Sequence, residues 1–241
     1  MAVKSAQLTL LVPPTSRYPT DNCAVAFPGS GAQFNDPQTT FPTFLTHQSG
    51  LTIVSEYLNT TNFAQTKGKE LLMFETNTAS CGGFPGISDS FGAALWGVDY
   101  GLQMAAVNFS GALFHVGGQS VSYNPFTREI LLFVFVLSST DMRSIAPPTN
   151  QSTYHQWTVG PIYYSALVVA EALGATNTSR VMDLQANNNN MLSPAYGIWE
   201  NGNLARVVLI NFVSDSTGAS DISVDLSLAN GAQLPGQVQV K

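Results

Sequence analysis

The chain is expected to fold as an α/β part followed by an all-β part, and three features point there. Up to Gly174, short apolar runs alternate with amphipathic helical stretches, the order of a parallel sheet with helices packed on it. Beyond that point Asn201-Gly202 separates two apolar runs, the signature of a tight hairpin. Ile222, Val224, Leu226 and Leu228 then alternate with polar residues, and Val238 and Val240 begin the same pattern, as half-buried strands do. The change of pattern places a boundary near residues 174–180.

Each element has its own reason. The first 45 residues, crowded with proline and glycine from Pro13 to Pro37, read as loop. Gln48 to Gln65 suits a helix with Leu51, Val54, Tyr57 and Leu58 on one side. Leu71-Leu72-Met73-Phe74 is uniformly apolar and reads as a strand buried on both faces. It stops at Glu75, where a polar loop from Thr76 to Gly86 opens. Ser88 suits an N-cap with Asp89 in the first turn, and Ile87, Phe91, Leu95, Val98, Leu102 and Ala105 recur at helical spacing. Ala112-Leu113-Phe114 reads as a second buried strand, leading through His115 to a Gly117-Gly118 loop and Tyr123. Pro161 fits the first position of a helix over Ile162 to Leu173, with Ile162, Ala166, Val169 and Leu173 facing inward and Gly174 ending it. Tyr196–Trp199 and Leu204–Phe212 are the hairpin strands.

Composition narrows the function. Of 241 residues, 44% are hydrophobic and only 10% are charged, against about 25% charged in an ordinary soluble protein. That excludes a long disordered tail and a coiled coil, both of which are rich in charge. Nine basic against fifteen acidic residues give a net charge of −6. With no Lys/Arg cluster, neither a phosphate backbone nor an anionic membrane is an expected partner. The longest uncharged apolar run, Ile130 to Leu137, has eight residues, where a bilayer needs about 20. A soluble, mildly acidic, globular chain is expected.

Four Asn-x-Ser/Thr sequons, at Asn59, Asn108, Asn150 and Asn177, together with the low charge favour a secreted, extracellular glycoprotein. In that setting Cys23 and Cys81 form one disulfide or remain two buried thiols. Met1–Val12, interrupted by Gln7 and Thr9, does not make a signal peptide. Either the chain is not exported, or its true beginning lies outside this sequence.

Few residues offer chemistry. No Cys/His metal spacing occurs, no phosphate-cradling glycine motif follows a strand, and Gly29-Ser30-Gly31 is too short for a serine nucleophile turn. Neither a metal nor an organic cofactor is expected. Glu75 ends an apolar strand and opens a polar loop, which is where a parallel α/β barrel presents catalytic side chains. From position alone, a solvated strand-end carboxylate is the plainer reading.

The stretch Phe74-Glu75-Thr76-Asn77-Thr78-Ala79-Ser80-Cys81-Gly82-Gly83-Phe84-Pro85-Gly86-Ile87-Ser88-Asp89-Ser90-Phe91, running on to Ala94-Leu95-Trp96-Gly97-Val98-Asp99-Tyr100, resembles the nucleophile region of glycoside hydrolase family 79, the β-glucuronidases and heparanases. The similarity extends from about Tyr18 to the C-terminus and includes Pro161-Ile162-Tyr163-Tyr164 and Asn201-Gly202-Asn203-Leu204-Ala205. The resemblance implies the C-terminal part of a (β/α)8 TIM barrel over residues 1–176, followed by an incomplete antiparallel β-sandwich over 177–241. It implies a retaining hydrolase of β-linked glucuronic acid, a fungal-type member with a glucuronic-acid-containing glycan as substrate. Glu75 matches the family nucleophile at the end of the seventh strand, needed as an ionised carboxylate to attack the anomeric carbon. Gly82 matches a glycine whose backbone N–H meets the sugar carboxylate, where a missing Cβ permits close approach. Tyr123 and His115 match the eighth strand and its loop, where a tyrosine hydroxyl contacts that carboxylate. Animal and bacterial members tend to carry tyrosine where this chain has Ser80, so the resemblance implies an altered substrate contact there.

Retaining glycosidases need a second carboxyl group, about 5 Å from the first. The family's acid/base follows an asparagine on the fourth strand, and no Asn-Glu dipeptide occurs in this sequence. The chain thus reads as beginning near strand six, and as inactive alone. Residues 128–146 interrupt what the resemblance makes a short connection. They read as retained intron sequence, with a GTGAG donor encodable at Arg128-Glu129, a CTGAC branch site at Thr140-Asp141-Met142 and an AG acceptor at Ile145-Ala146; a buried strand over Ile130–Leu137 is the plainer alternative. The rival to the enzyme is a non-catalytic, secreted glycan-binding or structural glycoprotein of the same fold.

Overall fold

The computed structural model describes residues 15–116, 121–128, 157–225, 227 and 236–241. Three parallel strands, β1 (Thr15–Ser16), β2 (Leu72–Thr76) and β3 (Gly111–Phe114), form one sheet in the order β1-β2-β3. β1 lies in a stretch expected to be loop. Its two residues are too few to leave a periodic signal, and only pairing with β2 makes them a strand.

Helices cover one face of this sheet. After β1 come the short α1 (Cys23–Ala26) and α2 (Pro37–Thr40) and a 3-10 turn at Phe41–Phe44. The helix expected over Gln48–Gln65 is two, α3 (Gln48–Ser55) and α4 (Leu58–Thr66), separated at Glu56-Tyr57. Ile53 and Val54 are the buried apolar residues of α3, and Leu58 is exposed. α5 (Phe91–Ala106) starts later than expected: Ser90, not Ser88, is the N-cap, its hydroxyl accepting from the Ala93 N–H. Ser88 is withdrawn into the preceding loop, where its hydroxyl is bonded to Thr78 and to the Phe84 N–H. Phe91, expected inward, is 74% exposed, while Trp96 and Tyr100 fill the interior as a stacked pair 5.0 Å apart.

The strands are buried on one face only. Leu71 and Met73 lie against the helices in the core with Trp96, but Phe74 and Leu113 are each 51% exposed. The expectation of two buried faces fails because a uniform apolar run does not say how many layers cover it. No helix among the described residues is long and apolar enough to cross a membrane.

β4 (Phe126–Arg128) and β5 (Trp157–Val159) pair antiparallel, and residues 129–156, with most of the suspected intron segment, lie outside the described residues. The Gly117-Gly118 loop also lies outside them. α6 (Pro161–Leu173) begins on Pro161 and ends at Gly174, whose φ of 70° suits a residue without a Cβ. Ile162, Ser165 and Ala172 are its buried residues, while Ala166 is exposed. The final sheet is β6 (Arg180–Asp183), β7 (Ala195–Glu200) and β8 (Asn203–Leu209), antiparallel in that order. Asn201 and Gly202 both have positive φ, 52° and 83°, as the tight turn requires. Residues 221–225 form no strand, and Ile222 and Val224 are exposed, as are Val238 and Val240. Their alternation has no described partner strand to bury it. Leu226 and Leu228 lie outside the described residues.

A second apolar cluster, with Val98, Leu102, Tyr196, Ile198 and Phe212 at its centre, joins α5 to the antiparallel sheet.

Candidate active site

The site lies at the C-terminal ends of the parallel strands. Between Met73 and Thr76, β2 carries one residue more than either neighbour: it advances two residues to one of β1 and three to two of β3. Such a bulge bends a strand and re-aims a side chain. Strict alternation from Leu71 and Met73 would send Glu75 against the helices. Instead Phe74 and Glu75 both lie off that face, and Thr76 returns to it, fully buried beside the Tyr100 hydroxyl.

Glu75 does not stand alone. The Tyr18 hydroxyl donates to Glu75 Oε1 at 2.8 Å. Burial, then the hydrogen bond to Glu75, then the neighbouring Tyr123 push the Tyr18 phenol far above its ordinary value, so it stays a neutral donor. Tyr123 is buried, and burial raises its phenol, against lowering by the Gly82 backbone and Tyr18. Its hydroxyl lies 2.9 Å from His115 Nδ1. Glu75, Tyr18, Tyr123 and His115 therefore form one connected array. His115 is fixed by its N–H to Thr76 O at 2.8 Å and by Asn77 Nδ2 donating to its carbonyl at 2.9 Å.

The loop after β2 closes over this array. Cys81, Gly82 and Gly83 have consecutive positive φ values of 59°, 91° and 75°. A Cβ on Gly83 would lie 2.6 Å from Ser88 Oγ and 2.8 Å from Tyr123 Cδ1, so only glycine fits beneath the tyrosine. The Ser122 N–H donates to Gly82 O at 2.7 Å, joining this loop to the Tyr123 segment. Asn22 Nδ2 donates to Gly83 O at 2.8 Å, and Cys23 is disulfide-bonded to Cys81. Ser80 pairs through its backbone with Thr20 and Asn22, and its hydroxyl lies 3.9 Å from Cys23 Sγ.

Of the residues singled out from sequence, Glu75, Gly82, His115 and Tyr123 converge, while Ser80 faces the disulfide. Tyr18 was missed as a site residue. Its only signal is a tyrosine at the start of the similar region, two residues beyond a strand too short to read. Among the described residues no group of three or more His, Cys, Asp or Glu could hold a metal ion.

Comparison with known proteins agrees with this architecture. Residues 195–241 match the glycosyl hydrolase family 79 C-terminal beta domain. A β-glucuronidase of Neurospora crassa is 33% identical over 162 residues, covering 62% of this chain and 24% of that protein. A β-glucuronidase of Aspergillus niger is 28% identical over 187 residues, covering 76% and 30%. The chain therefore spans less than a third of the length of these relatives. Its fold is similar to that of a 4-O-α-L-rhamnosyl-β-D-glucuronidase from Fusarium oxysporum, with a TM-score of 0.55 and 20% identity, over 82% of this chain and 33% of the other.

Proposed function

We propose that this chain is the C-terminal portion of a fungal-type glycoside hydrolase family 79 protein and that it carries the nucleophile half of a retaining site for β-linked glucuronic acid. Glu75 attacks the anomeric carbon, forming a glycosyl-enzyme that water then hydrolyses. The leaving-group oxygen takes its proton from a second carboxyl group outside these 241 residues. Tyr123, with His115 behind it, and the Gly82 backbone hold the sugar carboxylate, while Ser80, beside the disulfide, supports the loop that carries Gly82. β1, β2 and β3 are the sixth to eighth strands of a (β/α)8 barrel, and their open apolar face, with Phe74 and Leu113, is its interior. The antiparallel sheet begins the β-sandwich.

The observation that carries this reading is the 2.8 Å hydrogen bond from Tyr18 to Glu75. A neutral phenol donating to a strand-end carboxylate fixes one oxygen and leaves the other for attack. The disulfide and the exposure of Asn59, Asn108 and Asn177 support a secreted glycoprotein. Asn150 lies outside the described residues.

A 2-deoxy-2-fluoro-glucuronide, reacted with a full-length protein carrying this segment, is expected to label Glu75. Labelling of another residue sinks the assignment. Carbohydrate binding without label or turnover would favour the non-catalytic glycoprotein. The 241-residue chain alone is expected to release no glucuronate, because one carboxyl group cannot serve both roles.

A further inference from the structure

We propose that His47 is a protonation-gated clasp that holds the antiparallel sheet against α5, closed while both ring nitrogens carry protons and loosened when one is lost. The proposal does not depend on the enzymatic reading, since none of its residues touches Glu75.

His47 lies just before α3 and is 2% exposed. Its Nδ1 faces both carboxylate oxygens of Asp99, on α5, at 2.9 and 3.1 Å. Its Nε2 faces Asp183 Oδ2, at the end of β6, at 3.2 Å. Tyr196, on β7, donates to Asp99 Oδ1 at 2.7 Å. Asp99, Asp183 and Tyr196 are the titratable groups on the described elements packed against the ring. Four segments far apart in sequence thus meet in one buried cluster, and the His47 N–H adds a bond to Met191 O at 2.8 Å.

A neutral imidazole has one N–H donor. With carboxylates on both sides, it must leave one carboxylate oxygen facing a ring lone pair in a buried place, which is costly. With both carboxyl groups ionised, only a ring that donates from both nitrogens satisfies Asp99 and Asp183 together. The electrostatics agree in direction. Burial lowers the His47 pKa, but its hydrogen bonds to Asp183 and Asp99 outweigh that and push it up to about 9. Burial raises Asp183, but the His47 bond and the Gln185 N–H bring it below its ordinary value. Burial raises Asp99 despite the bonds from His47 and Tyr196, so the His47–Asp99 pair holds its proton tightly.

The sign of the linkage follows. A histidine raised on folding contributes stability that is complete below its unfolded value of about 6.5 and is lost as pH rises through about 9. The loss should be local, because the clasp joins β6 and β7 to α5 and touches no strand of the parallel sheet.

The test uses the whole chain. Long-range 15N–1H spectra at about pH 7.5 are expected to show His47 with both nitrogens protonated, and a neutral tautomer there overturns the proposal. Thermal unfolding is expected to weaken between about pH 6 and pH 9.5, with the drop smaller in Asp183→Asn, whose isosteric amide removes one charge. Equal drops in wild type and variant overturn it. Hydrogen exchange at the higher pH should increase in β6–β8 before β1–β3, and uniform loss of protection counts against the clasp. Should His47→Gln fail to fold, the wild-type spectra and Asp183→Asn still decide.

Discussion

The Tyr18 hydroxyl reaches Glu75 Oε1 across 57 residues of sequence and 2.8 Å of space. Tyr18 lies two residues beyond β1, which runs parallel to β2 with Ser16 beside Glu75 in register. Removing that donor tests whether the pair acts in the reaction. In an active full-length protein, Tyr18→Phe is expected to lower kcat roughly tenfold to a hundredfold, the worth of a hydrogen bond to a charged group. KM should change much less, and an unchanged kcat would mean that Tyr18 only packs.

Gly83 sits under Tyr123 with positive φ. Gly83→Ala is expected to cost about 2–4 kcal/mol, from left-handed strain plus overlap with Ser88 and Tyr123. Urea unfolding reads this directly. Full stability in the variant would show that the loop can rearrange.

The Cys23–Cys81 bridge closes a separation of 58 residues. On the chain-entropy account such a loop is worth about 4 kcal/mol. Unfolding with and without reductant, or of the Cys23→Ser/Cys81→Ser double variant, should show most of that loss. Because Cys81 adjoins Gly82, the variant should also weaken binding of a glucuronate inhibitor to the full-length protein.

Phe74 and Met73 are adjacent yet lie on opposite faces, 51% and 0% exposed. Met73→Ala is expected to destabilise this chain by about 2–5 kcal/mol. Phe74→Ala should change its stability by no more than about 1 kcal/mol. On the proposed barrel reading the open face is covered in a longer protein carrying the remaining strands, and there Phe74→Ala should instead cost about 3–5 kcal/mol. Equal small effects in both settings would argue against the barrel reading.

Much of the fold was legible in sequence. Pro161 and Gly174 bound a helix because proline and glycine act on the backbone locally, and Asn201-Gly202 forced a hairpin for the same reason. Glu75 stood out because it ends an apolar run. The break between α3 and α4 and the cap at Ser90 were misread because competing local signals were settled by packing: Ser88 found buried partners in Thr78 and Phe84. Tyr18 and the His47 cluster were missed because their partners lie far away in the chain.

What the sequence determined by itself was the alternation of β2, α5, β3 and α6, the hairpin and the presence of a carboxylate at a strand tip, since each rests on neighbours a few residues apart. Tertiary structure alone decided where that carboxylate points. Alternation would have turned Glu75 toward the helices with Leu71 and Met73, but pairing with two shorter neighbours forces an extra residue into β2 and swings it to the open face. No periodicity in one strand can encode that outcome, because it depends on the register of three.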